Sequence, residues 1–461
     1  MKPFEIRGFN PCESLLRHSP EQLTRFIRRM KTLNMNTIII HYDYGWKRYQ
    51  DLIIKECQDA GVKIILMTFG PRTFLSYSDW KTQWFAKDLN GNPFCQRLEC
   101  ETYPCAFEPE ALAAYEYGAK QWLHSLPSAI KHVHMRAADG LMFCQCEKCR
   151  PLPDHEKWQP FVEIFTRAVL AERPDLKFET DIYVKRYNIP QNRQPFHQMS
   201  NIMYDTFYRT PQQPIGCSRF PNLEMTGYAA TEKNPDAVCP NQYHLNRLKE
   251  WTTEYPGKVY IHENAMAQGL CGVFQHGTWS YLRDLELYRE LGIQGVCYEA
   301  YEPGYCHFSD MFEILAKAMM GEEIDYQPTK LEQVINGEPY TGWFGRTPPE
   351  DWMIPFITDP RNLKLHQLIG AYNTDPCKQT FRNMLTFAVE HKDVLDPLFI
   401  ADFHARGALR RGLLDKNDLS EVAQDMLSRR KLWDFMEEIP MEDDPIKVCL
   451  NIIGELIEKA K

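Results

Sequence analysis

Residues 36–70 read NTIIIHYDYGWKRYQDLIIKECQDAGVKIILMTFG, and this stretch decides the fold. Thr37 to Ile40 form an apolar, β-branched run that ends in the polar residues His41, Tyr42 and Asp43. An amphipathic segment follows, closed by Gly61, and a second apolar run begins at Val62. Strand, helix and strand in such close succession make a βαβ unit, whose strands lie parallel and are buried on both faces.

The same plan extends in both directions. Upstream, EIRGFNP (5–11) reads as a strand. Ser19, Pro20 and Gln22 then start a helix whose apolar face is Leu23, Phe26, Ile27, Met30 and Leu33. Downstream, strand-like runs occupy 132–140, 177–184, 201–209, 258–266 and 293–301, with helical patterns around 158–173, 245–255 and 279–291. Eight strands, most of them apolar at the start and polar at the end, predict an α/β fold: a (β/α)8 TIM barrel over residues 1–320. A doubly wound sheet is the alternative, and the absence of a GxGxxG loop weighs against it. Residues 70–131 read as a long Cys-rich insertion after strand 3, and the link 184–201 is too short for a full helix. Residues 321–360, rich in Pro and Gly, read as an irregular connector. Residues 361–461 read as a small all-α domain, with Leu365, Leu368, Ile369 and Tyr372, and later Ile446, Leu450, Ile453 and Ile457, at helical spacing.

Composition narrows the function. The 461 residues carry 53 Lys+Arg against 62 Asp+Glu, a net charge of −9 with no basic stripe, which argues against nucleic-acid or anionic-membrane binding. The amino terminus lacks the apolar core of a signal peptide, and no later run reaches the length of a membrane span, so a cytoplasmic, reducing setting is expected. There, most of the 15 cysteines read as buried small residues, metal ligands or nucleophiles. Cys144, Cys146 and Cys149 form a CxCxxC segment, FCQCEKCR, just past strand 4. Thiolates at this spacing can converge on one tetrahedral ion, with Cys105 as the fourth ligand and Cys95, Cys100, His132 and His155 in reserve. Four thiolates leave no open position, so the expected zinc is structural; reduced cysteines, or a disulfide pair in an oxidising setting, are the alternative.

In a barrel, chemistry sits where the strands end. The candidates there are Asn10; His41 and Asp43; His134, Arg136 and Asp139; Asp181 and Tyr183; Asp205 and Arg209; His262, Glu263 and Asn264; and Glu299, Tyr301 and Glu302. Any one acid among them, taken alone, reads as a rim salt bridge or a helix cap. Together, carboxylates interleaved with the rings of Trp80, Trp84, Tyr204, Tyr208, Tyr298 and Tyr301 suit sugar chemistry, because rings stack on pyranose faces and two carboxylates serve as acid and base or nucleophile. A metal-dependent barrel hydrolase competes, since His41, Asp43, His134, Asp181 and His262 are ligand types, but no HxH pair ends strand 1 and HExxH is absent. Serine hydrolases and P-loop enzymes are set aside for want of GxSxG and a phosphate loop. Cys297 reads as a small inward-facing barrel residue.

The segment ADGLMFCQCEKCR (138–150), with YPCAFEPEALAAYEYGAKQWL (103–123) before it and WQPFVEIFTRAVLAERPDLKFETDIY (158–183) after it, resembles a bacterial domain of unknown function that carries a similar Asp-Gly then Cys-x-Cys-Glu-x-Cys motif. The short link after DIYVKRY is similar too, and the resemblance covers roughly residues 1 to 320. It implies a TIM barrel related to hexosaminidase and α-glucuronidase glycosidases. It also implies an acid/base at the end of strand 4 and a nucleophile at the end of strand 7, positions matched by Asp139 and Glu263, with Glu299 and Glu302 as substitutes. The Asp-Glu pair of hexosaminidases is missing, for strand 4 runs into RAADG with Asp139 alone, which disfavours catalysis assisted by an N-acetyl group.

The expectation is therefore a glycoside hydrolase acting on a terminal, acidic or amino, sugar of an oligosaccharide, with no catalytic cofactor. Substrate binding falls to His41, Asp43, His134, Arg136, Asp181, Tyr183, Asp205, His262, Asn264 and Tyr301, and Arg136, Lys185, Arg186 and Arg209 are candidates to hold an acidic group. A carbohydrate-binding barrel without catalysis is the alternative of a different class. The expected partners are the glycoside and, at most, further copies of the chain.

Overall fold

The structure is a computed structural model. It describes residues 1–11, 20–68, 70–75, 81–93, 103–136, 143–183, 186–207, 209, 214–217, 240–263, 278–299 and 309–327, with isolated helical positions at 364, 368, 383, 386, 387 and 390. The expected connector 321–360 and helical domain 361–461 therefore lie almost entirely outside the described residues.

Eight strands close into a barrel in sequence order: β1 (Ile6–Asn10), β2 (Thr37–His41), β3 (Lys63–Met67), β4 (His132–Met135), β5 (Lys177–Ile182), β6 (Asn201–Asp205), β7 (Val259–Glu263) and β8 (Gly295–Glu299). Every neighbouring pair is parallel, and β8 returns to β1 with Ile6 opposite Gly295 and Asn10 opposite Glu299. The connections hold α1 (Pro20–Thr32), α2 (Lys47–Ala60), α3 (Pro109–Ser125), α4 (Asp154–Glu172), α5 (Gln194–Gln198), α6 (Pro240–Glu254), α7 (Thr278–Glu290) and α8 (Ser309–Met319). The fold is the (β/α)8 barrel that the alternation of strand and helix predicts.

Local chemistry explains the elements that position the site. Helix α2 ends at Gly61, whose φ of 72° lies in the left-handed region; its N–H bonds Gln58 O, and that of Val62 bonds Cys57 O. This tight stop lets the chain turn directly into β3. A short π-helical turn, Tyr42–Trp46, bridges β2 and α2 and buries Trp46. The link between β5 and β6 holds only the five-residue α5, as its length requires. The 70–131 stretch needs correction, because its last part is α3, the barrel's own third crossover helix, packed on α4 through Tyr115 and Phe161. Only the residues before 109 are inserted, with short turns at Pro71–Thr73 and Thr82–Trp84 and isolated bridges Phe85–Pro104 and Lys87–Pro93.

Two apolar layers hold the barrel. Inside it, Ile6, Ile39, Ile65, Met67, Met203, Tyr260 and Cys297 form one cluster, with Cys297 inward as expected. Outside it, residues of opposite parity such as Ile38, Ile40, Val133, Ile202, Ile261 and Val296 pack against the helices. Gly8 sits at a close approach of strands: a Cβ there would lie 2.2 Å from Thr37 O and 2.9 Å from Cys297 Sγ. Gly8→Ala is therefore expected to lower unfolding stability by roughly 1–3 kcal/mol or more, measured as a urea midpoint shift. An unchanged midpoint would contradict this packing.

Candidate active site

Alternation along each strand sorts the polar strand ends. In β7, Tyr260 belongs to the inner cluster while Val259 and Ile261 face the helices, so His262 points inward and Glu263 outward. The same parity turns Asn10, His41, Asp181, Asp205 and Glu299 into the barrel at its carboxyl-terminal end. Arg136 follows β4 in the same phase, one step past the pair Met135–Thr180 and thus beside Asp181. All seven inward residues are buried; Glu299 keeps 7% exposure, whereas Asp181 and Asp205 keep none.

The best-defined array among them crosses three strands. Asp205 Oδ1 accepts the backbone N–H of Phe207 at 2.9 Å, and Oδ2 lies 2.9 Å from His262 Nδ1. Asn10 Nδ2 donates to His262 Nε2 at 2.9 Å. The amide donor on one ring nitrogen places the imidazole proton on the other, so Nδ1–H donates to Asp205. Both ring nitrogens of His262 are thus engaged, which leaves neither for a metal and removes one ligand from a barrel metal-hydrolase site.

Deeper in the barrel lies a second array that the sequence reading passed over. Glu179, fully buried on β5, touches His134 Nδ1 at 2.9 Å and His132 Nε2 at 2.8 Å, and accepts the Tyr260 hydroxyl at 2.6 Å. Burial pushes this carboxyl up, but His132 and His134 outweigh it and hold the group below its usual range. His134 therefore serves the barrel interior; its Nε2 has no hydrogen-bond partner among the described residues. The period-two spacing of Glu179 and Asp181 in KFETDI was the available signal.

Several expectations change. Glu263 does not face the barrel mouth: Thr206 Oγ1 (2.9 Å), Arg209 Nη1 (3.0 Å) and Tyr288 OH (3.2 Å) hold it between β7 and α7. Arg209 also pairs with Asp284 at 2.6 Å, so it is neutralised in the helical layer and not offered to substrate. Tyr204 and Tyr298 likewise point outward, onto His244 and Tyr281, and Trp84 packs with Leu75, Phe85 and Ala111. Among the described residues, Tyr183 and Phe207 follow β5 and β6 with their rings 5.0 Å apart in an edge arrangement. Asp43, exposed on the rim, accepts a bond from Thr73 Oγ1 at 2.6 Å. Asp139, Lys185, Asn264, Tyr301 and Glu302, with Trp80 and Tyr208, lie outside the described residues.

Cys105, Cys144, Cys146 and Cys149 come together, their sulfurs all within 4.8 Å of one another. Cys105 Sγ is 3.8 Å from that of Cys146 and 3.7 Å from that of Cys149. A tetrahedral ion at about 2.3 Å from each sulfur would set S···S edges of about 3.8 Å, whereas a disulfide needs about 2.05 Å, so the group can hold a metal ion. Backbone N–H groups of Lys87 and Cys146 point at Cys144 Sγ (3.3 and 3.5 Å). Its thiol is drawn down well below its ordinary value, first by the Cys105 and Cys149 sulfurs and then by these donors. His132 and His155 do not join; they sit beside Glu179 and Glu156. Cys95 and Cys100 lie outside the described residues.

No family model and no curated protein matches the chain. Among solved structures, it is similar to a cold-adapted β-galactosidase from Rahnella sp. R3 (13% identity, TM-score 0.42, covering 65% of this chain and 50% of that one). It is also similar to an endo-β-1,4-mannanase from Thermotoga petrophila (9%, 0.43, 71% and 79%) and to a β-N-acetylhexosaminidase (12%, 0.41, 70% and 74%). The chain thus spans about half the length of the β-galactosidase. Among the described residues, no helix is long and apolar enough to cross a membrane.

Burial raises the Glu263 carboxyl to about 7 from 4.5, opposed by Arg209 and assisted by Asp284. The folded chain then keeps a proton that the unfolded chain has released. Its contribution to stability is full below about pH 4.5 and is lost as pH rises through about 7, on the order of 3 kcal/mol. Glu263→Gln should flatten this loss: between about pH 5 and pH 8 the urea midpoint of the wild type should fall relative to that of the variant. Parallel profiles would contradict the burial argument.

Proposed function

We propose that the chain is a glycoside hydrolase acting on the terminal sugar of an oligosaccharide, with its chemistry at the carboxyl-terminal mouth of the barrel. One observation carries this reading: Asp181, Asp205 and Glu299 are three inward carboxylates buried at the strand ends, together with His41, His262 and Asn10. Desolvated carboxylates are costly to the fold and useful to a reaction that passes through an oxocarbenium-like, positively charged sugar. Tyr183 and Phe207 supply ring faces for a pyranose.

The roles follow from the surroundings. Glu299 alone of the three keeps contact with solvent, as an acid/base must to exchange protons with water. Asp205, fixed by Phe207 N–H and His262, suits the carboxylate that faces the developing charge, as nucleophile or electrostatic stabiliser. His41, Arg136, Asp181 and Asn10 orient hydroxyls, His262 acts through Asp205 and Asn10, which it holds in place, and Asp43 lies on the rim. Asp139 and Glu302 stay in the proposal as further acids, and Asn264 and Tyr301 as binding residues, on sequence position alone. Glu263, Arg209 and His134 serve as scaffold.

Glu299→Gln and Asp205→Asn should each lower kcat on a hydrolysed glycoside by roughly 10²- to 10⁴-fold, with melting little changed for Glu299→Gln. A panel of aryl glycosides and natural glycans tests this. Glycan affinity without turnover on any member would make the barrel a binding protein. Full activity in both variants would move the chemistry to other residues.

The four-cysteine group is proposed to hold a structural zinc ion in a reducing, cytoplasmic setting. It would join the segment around Lys87 and Cys105 to the segment 143–150, which Gln145 N already bonds at Lys87 O (2.7 Å). About one zinc per chain is expected by elemental analysis, and chelation should lower Tm by roughly 5 °C or more. A metal-free preparation with the same Tm would overturn it.

A further inference from the structure

Two buried cations of the described barrel are paired with acids. Arg209 lies between Glu263 and Asp284, and Lys157 is 2.8 Å from Asp154. Arg186, just past β5 and 2% exposed, breaks the pattern. Its Nε and Nη2 have no hydrogen-bond partner among the described residues, and no carboxylate among them lies at ion-pair distance. The guanidinium instead rests among rings, 5.6 Å from the centroids of Tyr183 and Trp158 and 5.9 Å from that of Phe143. Aromatic faces attract a cation, but they do not neutralise it or accept its directed N–H bonds. A second guanidinium, that of Arg136, stands 4.8 Å from the same Tyr183 ring. Arg136 has contacts of its own. Two buried cations thus share the Tyr183 ring, and Nε and Nη2 of Arg186 are without a partner among the described residues.

We propose that Arg186, with Arg136 beside it, binds an anionic substituent, a carboxylate or a sulfate, on the sugar that enters the barrel. The guanidinium fork matches either group through paired N–H bonds. This names the substrate class for the glycosidase reading and rests on it for the sugar. The competing account is a carboxylate of the protein itself in the undescribed residues 137–142, Asp139 foremost.

Direct binding separates these accounts without requiring turnover. Calorimetric titration of the full chain would use methyl β-glucuronide, glucose 6-sulfate and neutral methyl β-glucoside, on wild type, Arg186→Gln and Arg186→Lys. The wild type should bind one of the anionic sugars at least tenfold more tightly than the neutral one, and which of the two binds identifies carboxylate or sulfate. Arg186→Gln should lose roughly 10- to 100-fold for that sugar alone, and Arg186→Lys, which keeps the charge but not the fork, should lose less. Without ligand, Arg186→Gln should melt at or above the wild-type temperature, because it removes an uncompensated buried charge. A fall of roughly 5 °C or more, or failure to fold, would reveal a protein carboxylate as the partner and overturn the proposal. It is equally overturned if neither anionic sugar binds the wild type, or if affinity is the same in the variants. Absence of hydrolysis with intact anion selectivity would instead refute the glycosidase reading and leave this one standing.

Discussion

Closing eight parallel strands on themselves gives every strand side chain one of two destinations, the barrel interior or the layer of helices, and the rest of this molecule depends on that division. Because the period is two, neighbours in sequence go to opposite places. His262 enters the interior and meets Asp205 and Asn10; Glu263, the next residue, meets Tyr288 of α7 and Arg209. Two polar residues that read alike in sequence thus serve different purposes.

The division also determines how charge is kept away from water. In the helical layer, Arg209 sits between two carboxylates, and burial works against the ionised form of each acid while the guanidinium works for it. In the interior, Glu179 is held by two imidazoles and a phenol. Both groups sit below or outside the mouth and brace it. At the mouth itself Asp181, Asp205 and Glu299 are buried, with Arg136 beside Asp181. Arg186, which we propose reads a substrate's negative charge, lies on the β4–β5 side, sharing the Tyr183 ring with Arg136.

The cysteine group extends this bracing to the longest connection. The described residues 81–93 and 103–105 lie between β3 and α3 and are held by short turns and two isolated bridges. The sulfur contacts, with Cys105 N on Trp84 O at 2.8 Å, gather them against the start of the β4–α4 connection. This anchoring adjoins Phe143, which also flanks Arg186, so the metal-type site and the anion-type site share a wall.

Much was legible in the sequence. Apolar-to-polar strands alternating with helices specified the barrel, CxCxxC pointed to Cys105 as its companion, and the strand ends named Asp181, Asp205, His262 and Glu299, because these signals are local in the chain. Helix α3 was hidden inside an apparent insertion: its buried residues Ala111, Tyr115, Ala119, Trp122 and Leu123 form one stripe, but apolar residues off that stripe, Ala113 and the exposed Tyr117, blur it in the sequence. Which of His262, Glu263 and Asn264 faces the mouth was not legible either: a shift of one residue in the strand's phase exchanges inside for outside, and only pairing with β6 and β8 sets that phase. The sequence by itself determined the barrel and the inventory of polar groups at its mouth. Tertiary structure alone decided which carboxylates face the cavity and which cation is left without an acid, because burial and pairing are properties of neighbours distant in the chain.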